Sequence, residues 1–203
     1  MNSVQRQRTI SKELVAEFRR IDCADVADAV RGLGLVGVAQ GLYPLNREWK
    51  ICGRAVTVRQ VPLQDPKQWS GEDTNLTSLL PMCEPGDIIV ADAGGRLDVA
   101  IFGSGSAVKA KKFGLEGFVI DGACRDTQGL IDVGCPTFVR GICLVHPSGM
   151  MLTTCINSDP VQIGVAPMAV SVAPGDLVMG DGDGIVVVPA SRALEVLPLA
   201  QQH

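Results

Sequence analysis

An arginine and an aspartate lie side by side at the end of the motif Asp121-Gly-Ala-Cys-Arg-Asp126, directly after the apolar run Gly117-Phe-Val-Ile120. A short apolar run of this kind predicts a buried strand. In α/β proteins, ligands bind just beyond the carboxyl ends of strands. The Arg125 guanidinium offers a planar fork for a carboxylate, and the Asp126 carboxylate is a hard oxygen ligand for a magnesium-type ion. The motif therefore predicts a site that holds a small anionic substrate against a divalent metal ion.

A glycine- and serine-rich segment, Gly103-Ser-Gly-Ser106, precedes the same strand by one predicted helix. Glycines permit close approach of the backbone to a ligand. Ser104 or Ser106 marks a helix start, where free N–H groups favour anions. A plain tight turn before a helix is the competing interpretation. The ligand-binding interpretation gains weight because a β-α-β unit brings this segment and the Arg-Asp pair to one edge of the sheet.

The elements that must position these residues alternate along the chain, which predicts an α/β fold. Helices are predicted at 10–33 (in two parts), 75–82, 106–113, 127–133 and 190–197. Strands are predicted at 55–61, 88–91, 117–120, 136–139, 177–179 and 185–188, with further β-rich segments at 142–147 and 161–172. The segments 35–50 and 92–95 are predicted loops. No proline- or serine-rich linker divides the chain, so residues 1–203 are expected to form a single domain.

The composition limits the classes of partner. The 203 residues are 46% hydrophobic, enough for one sizeable core. A formal net charge of -4 argues against a nucleic-acid partner, and we interpret Lys109, Lys111 and Lys112 as a solvated helix face. No apolar segment reaches the ~20 residues of a membrane span. The N-terminus lacks the apolar stretch of a secretory signal, so a cytoplasmic location without a membrane partner is expected.

Seven cysteines occur, an odd number without a Cys-x-x-Cys pair, which fits neither a disulfide scaffold nor a zinc site. Reduced, buried thiols are the preferred interpretation. Cys124 could be activated by the neighbouring Arg125. No histidine is near it in sequence to act as a base, and we interpret His146 as a structural residue.

Five segments resemble motifs of the RraA-like family, in the family's order, over roughly residues 14–197. The family includes the 4-hydroxy-4-methyl-2-oxoglutarate / 4-carboxy-4-hydroxy-2-oxoadipate aldolases. The segments are Asp25-Val-Ala-Asp-Ala29, Gly53-Arg-Ala-Val-Thr-Val58, Pro85-Gly-Asp-Ile-Ile-Val-Ala-Asp92, Ile120-Asp-Gly-Ala-Cys-Arg-Asp126 and Gly182-Asp-Gly-Ile-Val-Val-Val-Pro189. The Asp-Gly-Ala-x-Arg-Asp element is the most specific of them.

This resemblance implies a fold, an assembly and a set of site residues. The fold would be a β/β/α swivelling-domain sandwich. The assembly would be a homotrimer, in some members doubled to a hexamer, with the active site between subunits. Arg125 would bind the 2-oxo acid end of the substrate, and Asp126 would bind Mg²⁺ or Mn²⁺. The amides of Gly103, Ser104, Gly105 and Ser106 would hold the carboxylate of pyruvate.

One position departs from the pattern that the resemblance implies. The aldolases carry an acidic residue where this chain has Ser104, and that residue helps to hold the water shell of the metal. Asp92 or Asp98 could compensate. The aldolases also borrow a C-terminal acidic residue from a neighbouring subunit, for which Glu195 is a candidate in this chain.

Two functions from different classes remain open on this basis. The first is a metal-dependent lyase that cleaves or decarboxylates a small 2-oxo dicarboxylic or tricarboxylic acid and releases pyruvate. Metal and arginine would stabilise the enolate formed when the carbon–carbon bond breaks. The alternative is a non-catalytic regulator of the RraA type, which binds and inhibits the endonuclease RNase E.

Overall fold

The computed structural model describes residues 10–65, 67 and 75–202. The α-helices are α1 (Lys12–Phe18), α2 (Cys23–Gly32), α3 (Ser104–Phe113), α4 (Thr127–Val133) and α5 (Ala193–Ala200), with 3₁₀ helices at Leu76–Met82 and Ala190–Arg192. The strands are β1 (Val38–Ala39), β2 (Tyr43–Pro44), β3 (Ile51–Pro62), β4 (Ile88–Phe102), β5 (Gly117–Cys124), β6 (Thr137–Ile142), β7 (Met151–Thr154), β8 (Val161–Ile163), β9 (Val170–Val172), β10 (Leu177–Asp181) and β11 (Gly184–Val188). The predicted α/β class is confirmed.

Strand β3 joins the two halves of the main sheet. Its first residues pair antiparallel with β10, and residues 55–59 pair in parallel with β4. Across the described residues the strand order is β1-β11-β10-β3-β4-β5-β6-β2, with β7 added to the end of β3. The strands β8 and β9 form a separate antiparallel pair. The central strands β4, β5 and β6 run in parallel, so their carboxyl ends share one edge.

Apolar side chains fill three layers between these elements. One cluster packs α3, α4 and the 3₁₀ helix Leu76–Met82 against the parallel strands, with Phe118 and Leu130 fully buried. A second lies between the two sheet regions and includes Phe138. A third packs α1, α2 and α5 against β10 and β11 around Phe18. Helix, sheet, sheet and helix thus form successive layers that hold the parallel strands rigidly.

Helix starts follow local sequence signals. The Ser11 hydroxyl accepts a hydrogen bond from the Leu14 amide at 3.2 Å and caps α1. Gly114, at φ 93°, ends α3 in the left-handed conformation that favours glycine.

The predicted loop at 92–95 is wrong. Strand β4 runs on to Phe102, and its register against β5 shifts at Arg96 and again at Ala100. Gly94 and Gly95 adopt positive φ and permit this irregular path. The glycines therefore mark bulges inside a strand rather than the end of one.

Two other segments also differ from the prediction. The predicted loop 35–50 contains the two short strands β1 and β2. The β-rich segment 142–147 forms no strand beyond Ile142. It crosses the sheet edge instead, where Ala100 donates to the Val145 carbonyl at 2.9 Å.

The repeated Pro-Gly-Asp sequence is a local turn used twice. Asp87 Oδ2 accepts the amide of Glu84 at 2.7 Å, and Asp176 Oδ2 accepts the amide of Ala173 at 2.8 Å. The glycine of each turn has positive φ. Each aspartate therefore closes its turn in the same way before a buried strand begins.

Among the described residues, no helix combines the length and the apolar character that crossing a bilayer requires.

Candidate active site

Arg125 and Asp126 lie directly beyond the carboxyl end of β5, as the sequence predicts. The Arg125 amide donates to the Phe102 carbonyl at 2.9 Å, which ties this segment to the end of the neighbouring β4. Asp126 has φ 55° and ψ 41°, a left-handed conformation that aspartate tolerates better than most residues. This turn starts α4 and leaves both side chains part-exposed, Arg125 at 34% and Asp126 at 47%.

The two side chains are close without forming a tight ion pair. Arg125 Nε lies 3.9 Å from Asp126 Oδ2, beyond hydrogen-bonding distance. Both groups therefore keep donor and acceptor capacity for a ligand.

Gly103 lets the end of β4 approach this pair closely. A Cβ atom at this position would lie 3.0 Å from Asp126 Oδ2 and 3.3 Å from Arg125 Cγ. Any larger residue would press on both functional side chains. The glycine is thus required by space rather than by its backbone angles, because its φ of -162° is ordinary extended backbone.

Helix α3 begins next to the pair. Gly103 is its N-cap and has no side chain to satisfy the amides of the first turn. Those amides carry the positive end of the helix dipole, which favours an anion. Ser104 lies on the side of this helix start that packs on α4: its Oγ donates to Asp126 Oδ2 at 3.4 Å, and its Cβ lies close to Gly129 of α4.

These elements surround a cleft of about 320 Å³, within the size range of small-molecule sites. The residues that line it are Asn75, Ala100, Ile101, Phe102, Gly103, Gly105, Ser106, Lys109, Arg125, Asp126, His146, Pro147 and Ser148. The predicted residues Gly103, Gly105, Ser106, Arg125 and Asp126 therefore converge on one cavity.

Asn75 is a polar residue of the cleft that sequence reasoning missed. Its Oδ1 accepts hydrogen bonds from the Thr77 amide at 3.0 Å, from Thr77 Oγ1 at 2.8 Å and from Ser106 Oγ at 3.2 Å. Three donors on one oxygen fix the orientation of the amide and leave its two N–H groups as donors. A short helix at 75–82 is predicted from the sequence. Nothing in the sequence indicates that Asn75, which caps this helix, would contact the first turn of α3.

His146, which we interpreted as a structural residue, lines the same cleft. Its Nδ1 accepts the Ser148 amide at 3.1 Å, so a neutral ring carries its proton on Nε2. His146 follows β6, which lies parallel to β5 and ends at the same edge of the sheet. The strand order, which the sequence did not provide, is what brings this imidazole to Arg125.

The interpretation of the three lysines as one solvated face is also incomplete. Lys109 lines the cleft, whereas Lys111 and Lys112 lie in the last turn of α3, where positive charge suits the helix dipole. Lys109 shares a helix face with Gly105 and Ser106, four and three residues earlier. The cleft is therefore bordered by two fixed cations, Arg125 and Lys109.

A hydrated divalent ion fits the acidic part of the cleft. Within the described residues, no group of three or more His, Cys, Asp and Glu side chains is placed to hold a metal. Asp126 offers one carboxylate, with the Ser104 hydroxyl beside it. Mg²⁺ commonly retains several waters and takes one or two carboxylates together with substrate oxygens. These two groups therefore suit an ion whose remaining ligands are water and substrate.

The carboxylates considered as substitutes for an acid at 104 have other partners. Asp92 is buried, accepts from Arg59 Nε at 3.1 Å and accepts the Gly94 amide. Asp98 pairs with Arg96 at the surface. Neither lines the cleft. Compensation by either residue within one chain is therefore not supported.

Cys124 lies one residue before Arg125 but does not share its environment. It is fully buried, and burial raises the pKa of its thiol to about 11. A thiol with that pKa is protonated near neutral pH and is a weak nucleophile. The preferred interpretation of Cys124 as a packing residue is therefore supported.

Most of the chain matches a known protein family. The family model described as "RraA-like: Aldolase/RraA" matches residues 23–187. A protein of Halalkalibacterium halodurans named "Putative 4-hydroxy-4-methyl-2-oxoglutarate aldolase" is 32% identical over 190 residues, 94% of this chain and 83% of that protein.

Two solved structures are similar over nearly the whole chain. One is Streptomyces coelicolor RraAS2, described as an unusual member of the RNase ES inhibitor RraA protein family. It has a TM-score of 0.81 and 29% sequence identity, and the match covers 95% of this chain and 93% of that chain. An uncharacterized protein from Pseudomonas syringae pv. tomato has a TM-score of 0.81 at 27% identity, with 96% of this chain and 88% of that one covered.

Proposed function

The chain belongs to the RraA-like family, and from that premise we propose that it is a lyase that releases pyruvate from a small 2-oxo dicarboxylic or tricarboxylic acid. Its substrates would be of the 4-hydroxy-2-oxo acid class, cleaved by retro-aldol reaction, with oxaloacetate decarboxylated at the same site. The observation that carries the proposal is the convergence of Arg125, Asp126 and the start of α3 on one cleft.

Arg125 and the first amides of α3 provide the binding pole for the 2-oxo acid end. The guanidinium donates two parallel hydrogen bonds to neighbouring oxygens of such a group. The α3 amides add fixed dipoles that need no reorganisation as charge develops. Together they favour the enolate over the ketone, which is the difference in binding that accelerates the reaction.

Mg²⁺ or Mn²⁺, held by Asp126 with the Ser104 hydroxyl, would supply Lewis-acid polarisation of the substrate oxygens. Asp126 is suited to this role because its carboxylate is part-exposed and is not consumed by Arg125. The left-handed turn at Asp126 leaves its carboxylate beside Arg125 and without a bond to the first amides of α4.

Both reactions break a bond to C3 and leave its electron pair in the enolate of pyruvate. In retro-aldol cleavage the C4 hydroxyl loses its proton and C4 becomes a carbonyl carbon; in decarboxylation the C4 carboxylate leaves as carbon dioxide. A proton must then return to C3. His146 carries a proton on Nε2 in its neutral form, and in our proposal it supplies this proton. A water held by Arg125, or by a metal ion at Asp126, would take the hydroxyl proton.

We further propose the assembly that the family resemblance implies, a homotrimer or a hexamer. In that assembly an acidic residue from a neighbouring subunit would complete the site. The part of the chain that the structure describes offers one acidic side chain in the cleft, Asp126, which leaves room for this contribution.

The decisive experiment is a pyruvate-release assay with 4-hydroxy-4-methyl-2-oxoglutarate and with oxaloacetate, with and without Mn²⁺. The proposal expects pyruvate release that is lost on chelation and restored by Mn²⁺. Activity that survives chelation, or absence of release from both substrates at all metal concentrations, would overturn it.

Regulation of an endonuclease is the alternative, favoured by the similarity to RraAS2. A regulator would bind RNase E and slow its cleavage of RNA regardless of Mn²⁺. Inhibition of RNase E that persists in Arg125→Ala, by a protein that releases no pyruvate, would replace the lyase proposal with this one.

A further inference from the structure

The cleft contains a second positively charged side chain, Lys109, in addition to the Arg125 that we assign to the 2-oxo acid end of a substrate. Arg125 and the α3 amides lie at one end, and Lys109 lines the same cavity from further along α3. At a rise of about 1.5 Å per residue, Lys109 lies about 6 to 7.5 Å along the helix axis from Ser104 and Gly105. A lysine side chain is flexible enough to cover the remaining gap.

The chemistry around Lys109 also suits a carboxylate. Asn75 Oδ1 accepts from the hydroxyl of Ser106, one turn before Lys109, at 3.2 Å, which leaves the two N–H groups of Asn75 as donors in the cleft. The only carboxylate lining the cleft, in the part of the chain that the structure describes, is Asp126 beside Arg125. Lys109 forms none of the ion pairs found among the described side chains, so its charge is available to a ligand.

We infer that Lys109 binds the carboxylate at the far end of a glutarate-type substrate, and so selects 2-oxo diacids over 2-oxo monoacids. This inference rests on the proposed function, because it assigns the 2-oxo acid end to Arg125. Lys109 is a specificity-determining residue in this scheme: it contacts the part of the substrate that does not change during the reaction.

The two proposed reactions should respond differently to the loss of Lys109. In retro-aldol cleavage the distal carboxylate persists through the transition state, so its contact with Lys109 lowers both the ground state and the transition state. In decarboxylation of oxaloacetate the second carboxylate loses its charge as it leaves. A cation bound to it stabilises the ground state more than the transition state, so the contact contributes less to kcat/KM than it does in retro-aldol cleavage.

The test compares Lys109→Ala with Lys109→Arg and with Lys112→Ala, an exposed lysine of the same helix that does not line the cleft. For 4-hydroxy-4-methyl-2-oxoglutarate we expect Lys109→Ala to lower kcat/KM about tenfold, mainly through KM, since one charge-assisted contact is lost. Lys109→Arg restores most of the loss, and Lys112→Ala changes nothing. In Lys109→Ala the kcat/KM for oxaloacetate falls less than that for 4-hydroxy-4-methyl-2-oxoglutarate, and in Lys112→Ala it is unchanged.

Binding of uncleavable ligands supplies a readout that does not depend on turnover. By calorimetry with Mn²⁺ present, Lys109→Ala should weaken 2-oxoglutarate about tenfold and leave pyruvate unchanged. Equal weakening of both ligands, or of neither, would overturn the role of Lys109.

The two proposals can fail separately. If the wild-type protein releases no pyruvate, the lyase proposal fails, while the ratio of 2-oxoglutarate to pyruvate affinity still decides the role of Lys109. If it binds neither ligand, both proposals are overturned. If it releases pyruvate and Lys109→Ala behaves as Lys112→Ala does, only the role of Lys109 is lost.

Discussion

Two arginine–aspartate pairs at strand β5 have opposite environments. Arg140 reaches Asp121 inside the sheet: Asp121 is 5% and Arg140 17% exposed at the side chain, and Asp121 Oδ2 also accepts the Gly164 amide at 3.0 Å. Arg125 and Asp126 lie 3.9 Å apart at the strand end and are part-exposed. We call the first pair the closed pair, because its charged groups have their partners inside the protein. We call the second pair the open pair, because its donor and acceptor groups are available to a ligand.

The difference follows from position along the strand rather than from residue type. Asp121 points into the protein while its strand is still paired on both sides, with Asp92 on one neighbour. A buried carboxylate must find internal partners, because its desolvation is costly. Arg125 and Asp126 come after the last paired residue, where water can substitute for internal partners until a substrate displaces it.

The open pair gives the largest expected effect. Replacement Arg125→Ala should lower kcat/KM for pyruvate release by about 10²–10³-fold, because the positive charge and its donors are removed from the developing enolate. The free energy of unfolding should change by less than about 0.5 kcal/mol, as for an exposed residue. Steady-state assays and urea titration measure the two quantities. A comparable loss of stability would mean that the open pair is structural as well.

Replacing a residue of the closed pair should instead affect the stability of the protein. Replacement Arg140→Ala leaves the Asp121 carboxylate buried without its cation, which should lower the free energy of unfolding by about 3 kcal/mol. Urea denaturation measures it. Asp121→Asn combined with Arg140→Ala is the matched control and should lose less, since no buried charge remains. Equal losses in the single and double variants would contradict the comparison.

Crowding the open pair should have an intermediate effect. In Gly103→Ala the added methyl group approaches Asp126 Oδ2 and Arg125 Cγ, so both side chains must shift. We expect kcat/KM to fall about tenfold with little change in stability, because small displacements of binding groups are costly in catalysis. Gly32→Ala is the control, since a Cβ there meets nothing within 4 Å. Unchanged activity in Gly103→Ala would show that Arg125 and Asp126 tolerate displacement.

Adding charge beside the open pair should strengthen metal binding. In Ser104→Asp a second carboxylate would lie next to Asp126, where the hydroxyl now donates at 3.4 Å. Affinity for Mn²⁺ should rise by about tenfold, since ligand charge sets the affinity of such sites. Titration calorimetry measures it, with Ser104→Asn as the neutral control. The same affinity in both variants would argue that no ion binds beside Asp126.

The smallest effect concerns Cys124, which lies between the two pairs but shares the burial of the closed one. Burial raises the pKa of its thiol to about 11, so the thiolate fraction is small at pH 8 and grows as the pH approaches that value. Iodoacetamide at pH 8 should leave Cys124 unmodified while it labels the part-exposed Cys143. Mass spectrometry of the digested protein distinguishes them. Rapid labelling of Cys124 would show that this end of β5 opens.

Local sequence determined much of this molecule. The apolar run 117–120 had to become a buried strand, since four apolar residues bounded by glycine and aspartate have few other stable environments. Position after a predicted strand and before a predicted helix pointed to Arg125, Asp126 and the start of α3, because a β-α-β unit brings these features to one edge of the sheet. The turns that begin with Pro85-Gly-Asp87 and Pro174-Gly-Asp176 were likewise readable, since their hydrogen bonds span three residues.

Tertiary structure alone decided which distant side chains share the cleft. His146 reaches it because β6 lies parallel to β5, and Asn75 because a 3₁₀ helix packs beside α3. The sequence could not separate Lys109 from Lys112, or the open pair from the closed pair, since each comparison involves the same residue types. Burial and strand order make those distinctions, and both depend on contacts between residues far apart in the chain.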